Sequence, residues 1–127
     1  MFKKEFIEIV RKEIEKRGHS FDGDTVILNF RDKSYSPKEG GFHPVEIMIE
    51  DGKILYVTDF CYYGQFDELV KGLDFDFGCG RFQQLGLGDS REYPISEGYQ
   101  LFQIYQDNFI SYYKMGAYDQ IKVESLK

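Results

Sequence analysis

Tryptophan is absent from this 127-residue chain, and proline (three), histidine (two) and cysteine (two) are scarce. Two thiols, Cys61 and Cys79, are too few for a cysteine-only zinc site and make a poor disulfide framework. Reduced cysteines are therefore expected. No window approaches the ~18 apolar residues of a membrane-spanning helix. The start, MFKKEFIEIVRKEIEKRG, lacks the apolar run of a signal peptide. These absences predict a soluble, cytoplasmic protein without a membrane partner. There is no G-x-S-x-G, no H-E-x-x-H and no Cys/His cluster, so no metal, cofactor or recognisable catalytic machinery is expected. Positive charge is short as well. The net charge is −6, and outside residues 1–17 ten Lys and Arg stand against eighteen Asp and Glu. Such an acidic body argues against direct nucleic-acid binding, which needs cations to displace phosphate counterions.

Aromatics are abundant instead, with 12 Phe and 10 Tyr. Phenylalanines fill cores, whereas tyrosines favour positions with one wet end, including grooves and interfaces. Tyr62-Tyr63 and the group Tyr99, Tyr105, Tyr112, Tyr113 and Tyr118 are candidates for an aromatic groove or a dimer contact, if they do not simply pack. At this length one domain, residues 1–127, is expected, burying roughly two-thirds of its unfolded surface.

Phe2, Phe6, Ile9, Val10 and Ile14 recur at helical spacing, and Gly18 can close that helix. TVILNFRD alternates as a strand, with Val26, Leu28 and Phe30 on one side and Ile27, Asn29 and Arg31 on the other. In HPVEIMIEDGKILYVTDFCYY, Asp51-Gly52 between two alternating runs is the strongest short hairpin cue. A two-residue turn pairs Glu50 with Lys53. Strict alternation then puts His43, Val45, Ile47 and Ile49 on a core face with Ile54, Tyr56, Thr58 and Phe60. The opposite, mixed face carries Phe42, Glu46 and Met48 with Leu55, Val57, Asp59 and Cys61. QFDELVKG (65–72) reads as a short helix. A long helix is predicted after Tyr93-Pro94, capped by Ser96 and closed by Gly116, with Leu101, Ile104, Tyr105, Phe109, Tyr112 and Met115 along its apolar side. QIKVESL reads as a half-exposed last strand. The predicted fold is α+β: an antiparallel sheet of about four to five strands, with N-terminal and long C-terminal helices on one face.

DFDFGCGRFQQLGLGD (74–89) looks like a nucleotide or metal loop and fails each test of spacing. Gly78, Gly80 and Gly86 do not fit G-x-G-x-x-G, a P-loop would need a lysine, and a calcium loop would need glycine sixth and glutamate twelfth from Asp74. An edge strand over Asp74–Phe77 followed by a glycine turn fits better. Arg81 could still clamp an anion, although pairing with Asp74 or Asp76 is the plainer reading.

Glu46 and Asp59 are the candidate binding pair. On the mixed face they would sit diagonally, with Cβ atoms ~7–8 Å apart, close enough to share a proton or a cation. Arg31 and Asn29 could join them. The plainer alternative is a wet face of Arg–carboxylate pairs. His43, at the edge of the core, reads as a hydrogen-bonding residue before a base.

The succession LNFRDKSYSPKEGGFHPVEIMIE, ILYVTDFCYYG, LDFDFG and LFQIYQDNFISYYKMGAYDQIKV resembles an uncharacterised bacterial family of small single-domain proteins. NFRD…SY…GGFHPVEI is its most specific block. The resemblance implies a bacterial origin and supplies no activity, substrate or catalytic residue. Composition and missing motifs favour a protein-interaction module, self-associating or bound to a protein partner, without catalytic activity. The alternative is a small-ligand-binding protein or enzyme using Arg31, Glu46, Asp59 and Arg81.

Overall fold

The computed structural model describes residues 1–62, 67–85 and 91–126. Helix α1 (Lys4–Lys16) buries Phe6, Ile9, Val10 and Ile14 along one stripe. It stops at Gly18, whose φ of +86° only glycine adopts freely. There Gly18 N donates to Glu15 O and His19 N to Ile14 O, closing the helix in a Schellman motif.

Seven antiparallel strands follow among the described residues: β1 (Thr25–Arg31), β2 (Val45–Glu50), β3 (Lys53–Tyr62), β4 (Leu69–Asp76), β5 (Arg81–Gln84), β6 (Tyr93–Pro94) and β7 (Gln120–Ser125). Their order is β6-β5-β4-β3-β2-β1-β7. The sheet thus exceeds the expected four to five strands. Part of the excess lies in 65–72, read as a helix: Leu69–Gly72 opens β4, while residues 65 and 66 are outside the described set. There, pairing to β3 overrides an amphipathic local pattern. Asp74–Phe77 alternates as expected, but β4 lies between β3 and β5 and is no edge.

A 3₁₀ turn (Ile95–Gly98) leads into α2 (Tyr99–Lys114), which starts later than the Ser96 cap predicted and has no side-chain cap. Both helices lie on the sheet face that presents Val26, Leu28, Phe30, Val45, Ile47, Ile49, Val57 and Phe75. Phenylalanines knit this layer together: Phe109 meets Phe30 edge-on at 4.9 Å and Phe6 at 5.4 Å, and Phe75 meets Phe102 at 5.0 Å. Such pairs contribute about 0.5–1.5 kcal/mol each beyond their buried area.

The buried side of α2 is rotated from the predicted stripe. Phe102, Gln106, Phe109 and Ile110 are buried, whereas Ile104 and Met115 are exposed. Gln106 can be buried because it is satisfied: Lys3 N donates to its Oε1 at 2.7 Å, and its Nε2 donates to Met1 O.

Asp51 (φ 47°) and Gly52 (φ 77°) form the two-residue turn that the sequence predicts, with both φ values positive as in type I′, and Glu50 pairs with Lys53. The expected alternation then breaks. Ile49 pairs with Ile54 but Met48 pairs with Tyr56, leaving Leu55 as an extra residue on β3. This β-bulge moves every later β3 side chain to the other face. Val57 becomes core, opposite Ile47 and Phe75, and Asp59 follows it inward. Tyr56, Thr58 and Phe60, expected in the core, turn to the open face with Glu46. The carbonyl of the bulge residue is used rather than wasted, for Gly78 N donates to Leu55 O at 2.9 Å.

Candidate functional site

The bulge separates the two carboxylates that the sequence places together. Glu46 lies on the open face and accepts a 2.6 Å hydrogen bond from Tyr56 Oη. Nearby, Thr58 Oγ1 donates to Asp74 Oδ1 at 2.7 Å, and Lys71 approaches the same carboxylate. Asn29 is directly opposite Glu46 on β1. Arg31 is farther along, in a shallow groove with Asn29, Gln120, Lys122 and Glu124. Arg81 lies across from Asp76 in register, yet its guanidinium reaches Glu92 at 3.1 Å. The four candidate residues therefore do not converge. Gly86, Gly88 and Asp89 of the glycine-rich stretch lie outside the described residues. Among the described residues no three His, Cys, Asp or Glu side chains are grouped to hold a metal ion.

Asp59 enters a different setting. It is only 6% exposed, on the helix side of the sheet. A second irregularity, between β3 and β4, sets Gly72 and Leu73 opposite it. Leu73 N donates to Asp59 Oδ1. Gly72 makes this possible, since a Cβ there would stand 2.7 Å from Asp59 Oδ1. The other oxygen, Oδ2, meets His43 Nδ1 at 3.0 Å. His43 is 47% exposed, so the pair reaches from the interior to the solvent.

The loop from Asp32 to Pro44 brings His43 there, and its anchoring explains much of the NFRD…SY…GGFHP block. Asp32 Oδ1 accepts from Ser34 N and Ser34 Oγ, and Oδ2 accepts from Phe42 N. These bonds, Ser34's hydroxyl foremost, hold the Asp32 carboxyl below its ordinary pKa. Gly41 has φ +135°, and a Cβ on it would lie 2.9 Å from Asp32 Oδ2 and from Tyr35 Cα. Tyr35 Oη accepts from Tyr62 N at 2.9 Å, and its ring lies 5.3 Å from that of His43.

Beneath this loop, between the end of the sheet and α2, is a cavity of about 310 Å³, within the size range of small-ligand sites. Gly41, Phe42, His43, Val45 and Asp59 line one side, and Tyr105, Asn108, Phe109, Tyr112 and Tyr118 the other. Phe42 packs edge-on against Tyr112 at 4.8 Å, and Tyr118 lies 5.4 Å from Phe109. The hydroxyl of Tyr105 is buried with no hydrogen-bond partner among the described residues, which costs about 1–3 kcal/mol. Burial first, then the Asp59 charge, pushes the Tyr105 pKa well up. Burial, Tyr112 and Asp59 do the same to Tyr118.

Three tyrosines of the group noted in the sequence thus line one cavity. Tyr113 instead donates to the buried Glu13, and Tyr99 is partly exposed on the surface. The His43–Asp59 pairing was hidden by the bulge. The aromatic spacing of Tyr105 and Tyr112, two turns apart on α2, was the available signal.

The model of the family described as "Protein of unknown function (DUF2787)" matches residues 4–124. The chain belongs to this family. It is the uncharacterised bacterial family to which the NFRD…GGFHPVEI block pointed. The hypothetical protein VC0508 from the VSP-II pathogenicity island of Vibrio cholerae is similar in structure, with TM-score 0.80 and 33% identity over 96% of this chain and 92% of that one. The conserved hypothetical protein VC1805 from pathogenicity island VPI-2 of the same species gives TM-score 0.81 and 35% identity over 97% and 94%. VC1805 is described as sharing structural homology with the human P32 protein. No curated protein matches the chain. No helix among the described residues is long and apolar enough to cross a membrane.

Proposed function

We propose that this member of the family is a small-ligand-binding module whose site is the cavity under the Asp32–Pro44 loop. The observation that carries this reading is the Asp59–His43 pair at a cavity walled by aromatic rings, one of them Tyr105, whose hydroxyl is buried with no partner among the described residues. Polar groups inside proteins are normally satisfied, and a few convergent polar groups on an aromatic wall are the usual make-up of a ligand site. His43, held by a buried carboxylate, has the arrangement of an oriented base. No Ser or Cys lines the cavity as a nucleophile among the described residues, so binding rather than covalent catalysis is the role favoured. The open-face residues Arg31, Glu46 and Arg81 fall outside this site.

A protein-interaction or self-associating module is the second reading. It is supported by Ile104 on α2 and Met115 just past its end, exposed apolar side chains about three turns apart. One experiment separates the two: native mass spectrometry of gently purified protein, wild type beside Asn108→Trp, which plugs the cavity rim. A reproducible small extra mass on the wild type, lost in the variant, is the outcome expected for the ligand site. A dimer or a co-purifying protein, with no small mass on either form, overturns it in favour of the second reading.

A further inference from the structure

We propose that the occupant of this cavity is an organic cation, a protonated amine carrying a compact apolar or aromatic body. The inference rests on the ligand-site reading and adds the chemical class.

Charge decides it first. Asp59 is the one carboxylate among the described residues lining the cavity, and no Lys or Arg joins it there. Its sole ion-pair partner among the described residues is His43, which is about half exposed. A carboxylate taken out of water needs a cation or a full set of donors. Asp59 has one donor on each oxygen, Leu73 N and His43 Nδ1, leaving acceptor capacity on both. An anionic guest would meet like charge at close range. A neutral guest would leave the carboxylate as it is.

The walls point the same way. Phe42, Tyr105, Phe109, Tyr112 and Tyr118 surround the space. Aromatic faces carry the negative part of the ring quadrupole, which attracts ammonium groups within about 6 Å. An ammonium also brings donors that the remaining acceptor capacity of Asp59 can take. The net charge of −6 adds a long-range field that favours the approach of cations.

The test uses three probes of nearly one shape, benzylamine, benzyl alcohol and benzoate, titrated into the intact chain and followed by amide chemical shifts. Benzylamine is expected to move Phe42, His43, Asp59 and Tyr105 and to bind about tenfold or more tighter than benzyl alcohol, with benzoate weakest. Asp59→Asn, which keeps an oxygen for Leu73 N, should erase the preference for the amine while benzyl alcohol binding changes less than about threefold. If Asp59→Asn does not fold, competition between benzylamine and benzyl alcohol on the wild type decides alone. Benzyl alcohol or benzoate binding the cavity as tightly as the amine overturns the cationic class and leaves the ligand site standing. Cavity residues silent to all three probes overturn both.

Discussion

Replacing Gly72 by alanine would set a methyl carbon 2.7 Å from Asp59 Oδ1 and 3.3 Å from Cys61 Sγ. Real Cβ atoms do not approach an oxygen that closely, so the carboxylate must move. Asp59 has little room: Gly72 and Leu73 lie on one side, and His43 holds Oδ2 on the other. Losing the hydrogen bond from Leu73 N to a buried carboxylate costs about 1.5–3 kcal/mol. Overpacking adds about 1–3 kcal/mol. In a strand, alanine recovers about 0.5–1 kcal/mol of the entropy that glycine loses. Because the clash and the lost bond are one displacement, a net loss of about 2–3 kcal/mol is expected. For a domain of this size that lowers Tm by roughly 6–12 °C. The assay is urea unfolding by far-ultraviolet circular dichroism, supported by a thermal melt. Gly78→Ala is the internal control, because its Cβ would meet only ordinary contacts at 3.6 Å, and it should stay within about 0.5 kcal/mol of wild type. If Gly72→Ala is as stable as wild type or more so, Asp59 does not face inward at this point and the site is wrong.

Further outcomes follow from the same geometry. A Cβ on Gly98 would lie 2.7 Å from Phe82 Cγ, so Gly98→Ala should cost about 1–3 kcal/mol in urea unfolding. Tyr105→Phe removes an unsatisfied hydroxyl, so the empty protein should be unchanged or up to about 1 kcal/mol more stable, while cavity-bound ligand weakens in calorimetry. Burial, then the Glu13 hydrogen bond and charge, raises the Tyr113 pKa to about 12, against about 10 in an unfolded chain. The stability this contributes is whole below pH ~10 and lost as pH rises toward 12. Urea midpoints across that range should fall, and fall less steeply in Glu13→Gln.

The sequence was informative wherever local chemistry decides structure. The Asp51-Gly52 turn, the α1 stripe ending at Gly18, and the inward trio Val26, Leu28 and Phe30 all needed only short-range rules. Leu55 was different. It continues an unbroken alternation, and nothing beside it marks the bulge. What accommodates the extra residue is distant, the Gly78 N–Leu55 O bond, and pairing with β4 depends on folding rather than on local propensity. One unmarked residue was enough to exchange the faces of Val57 and Asp59 with those of Tyr56 and Thr58. The candidate site inherited that error: Glu46 was seen with the wrong partner and His43 with none. QFDELVKG failed similarly, because Leu69–Gly72 gains strand partners on β3 that no helix pattern anticipates. On α2, Gln106 occupies a buried position because the N-terminal backbone at Met1 and Lys3 satisfies its amide, a contact between chain positions about a hundred residues apart. The tyrosines of α2 were visible, but the loop that roofs their cavity depends on Asp32 and Gly41 acting together.

The central claim is that the Leu55 bulge turns Asp59 away from Glu46 and toward His43. Two double-mutant cycles by urea unfolding test it: His43→Ala with Asp59→Asn, and Glu46→Gln with Asp59→Asn. The first pair should couple by at least about 0.5 kcal/mol, and the second should be additive within about 0.5 kcal/mol. Coupling between Glu46 and Asp59, with none between His43 and Asp59, would contradict the account.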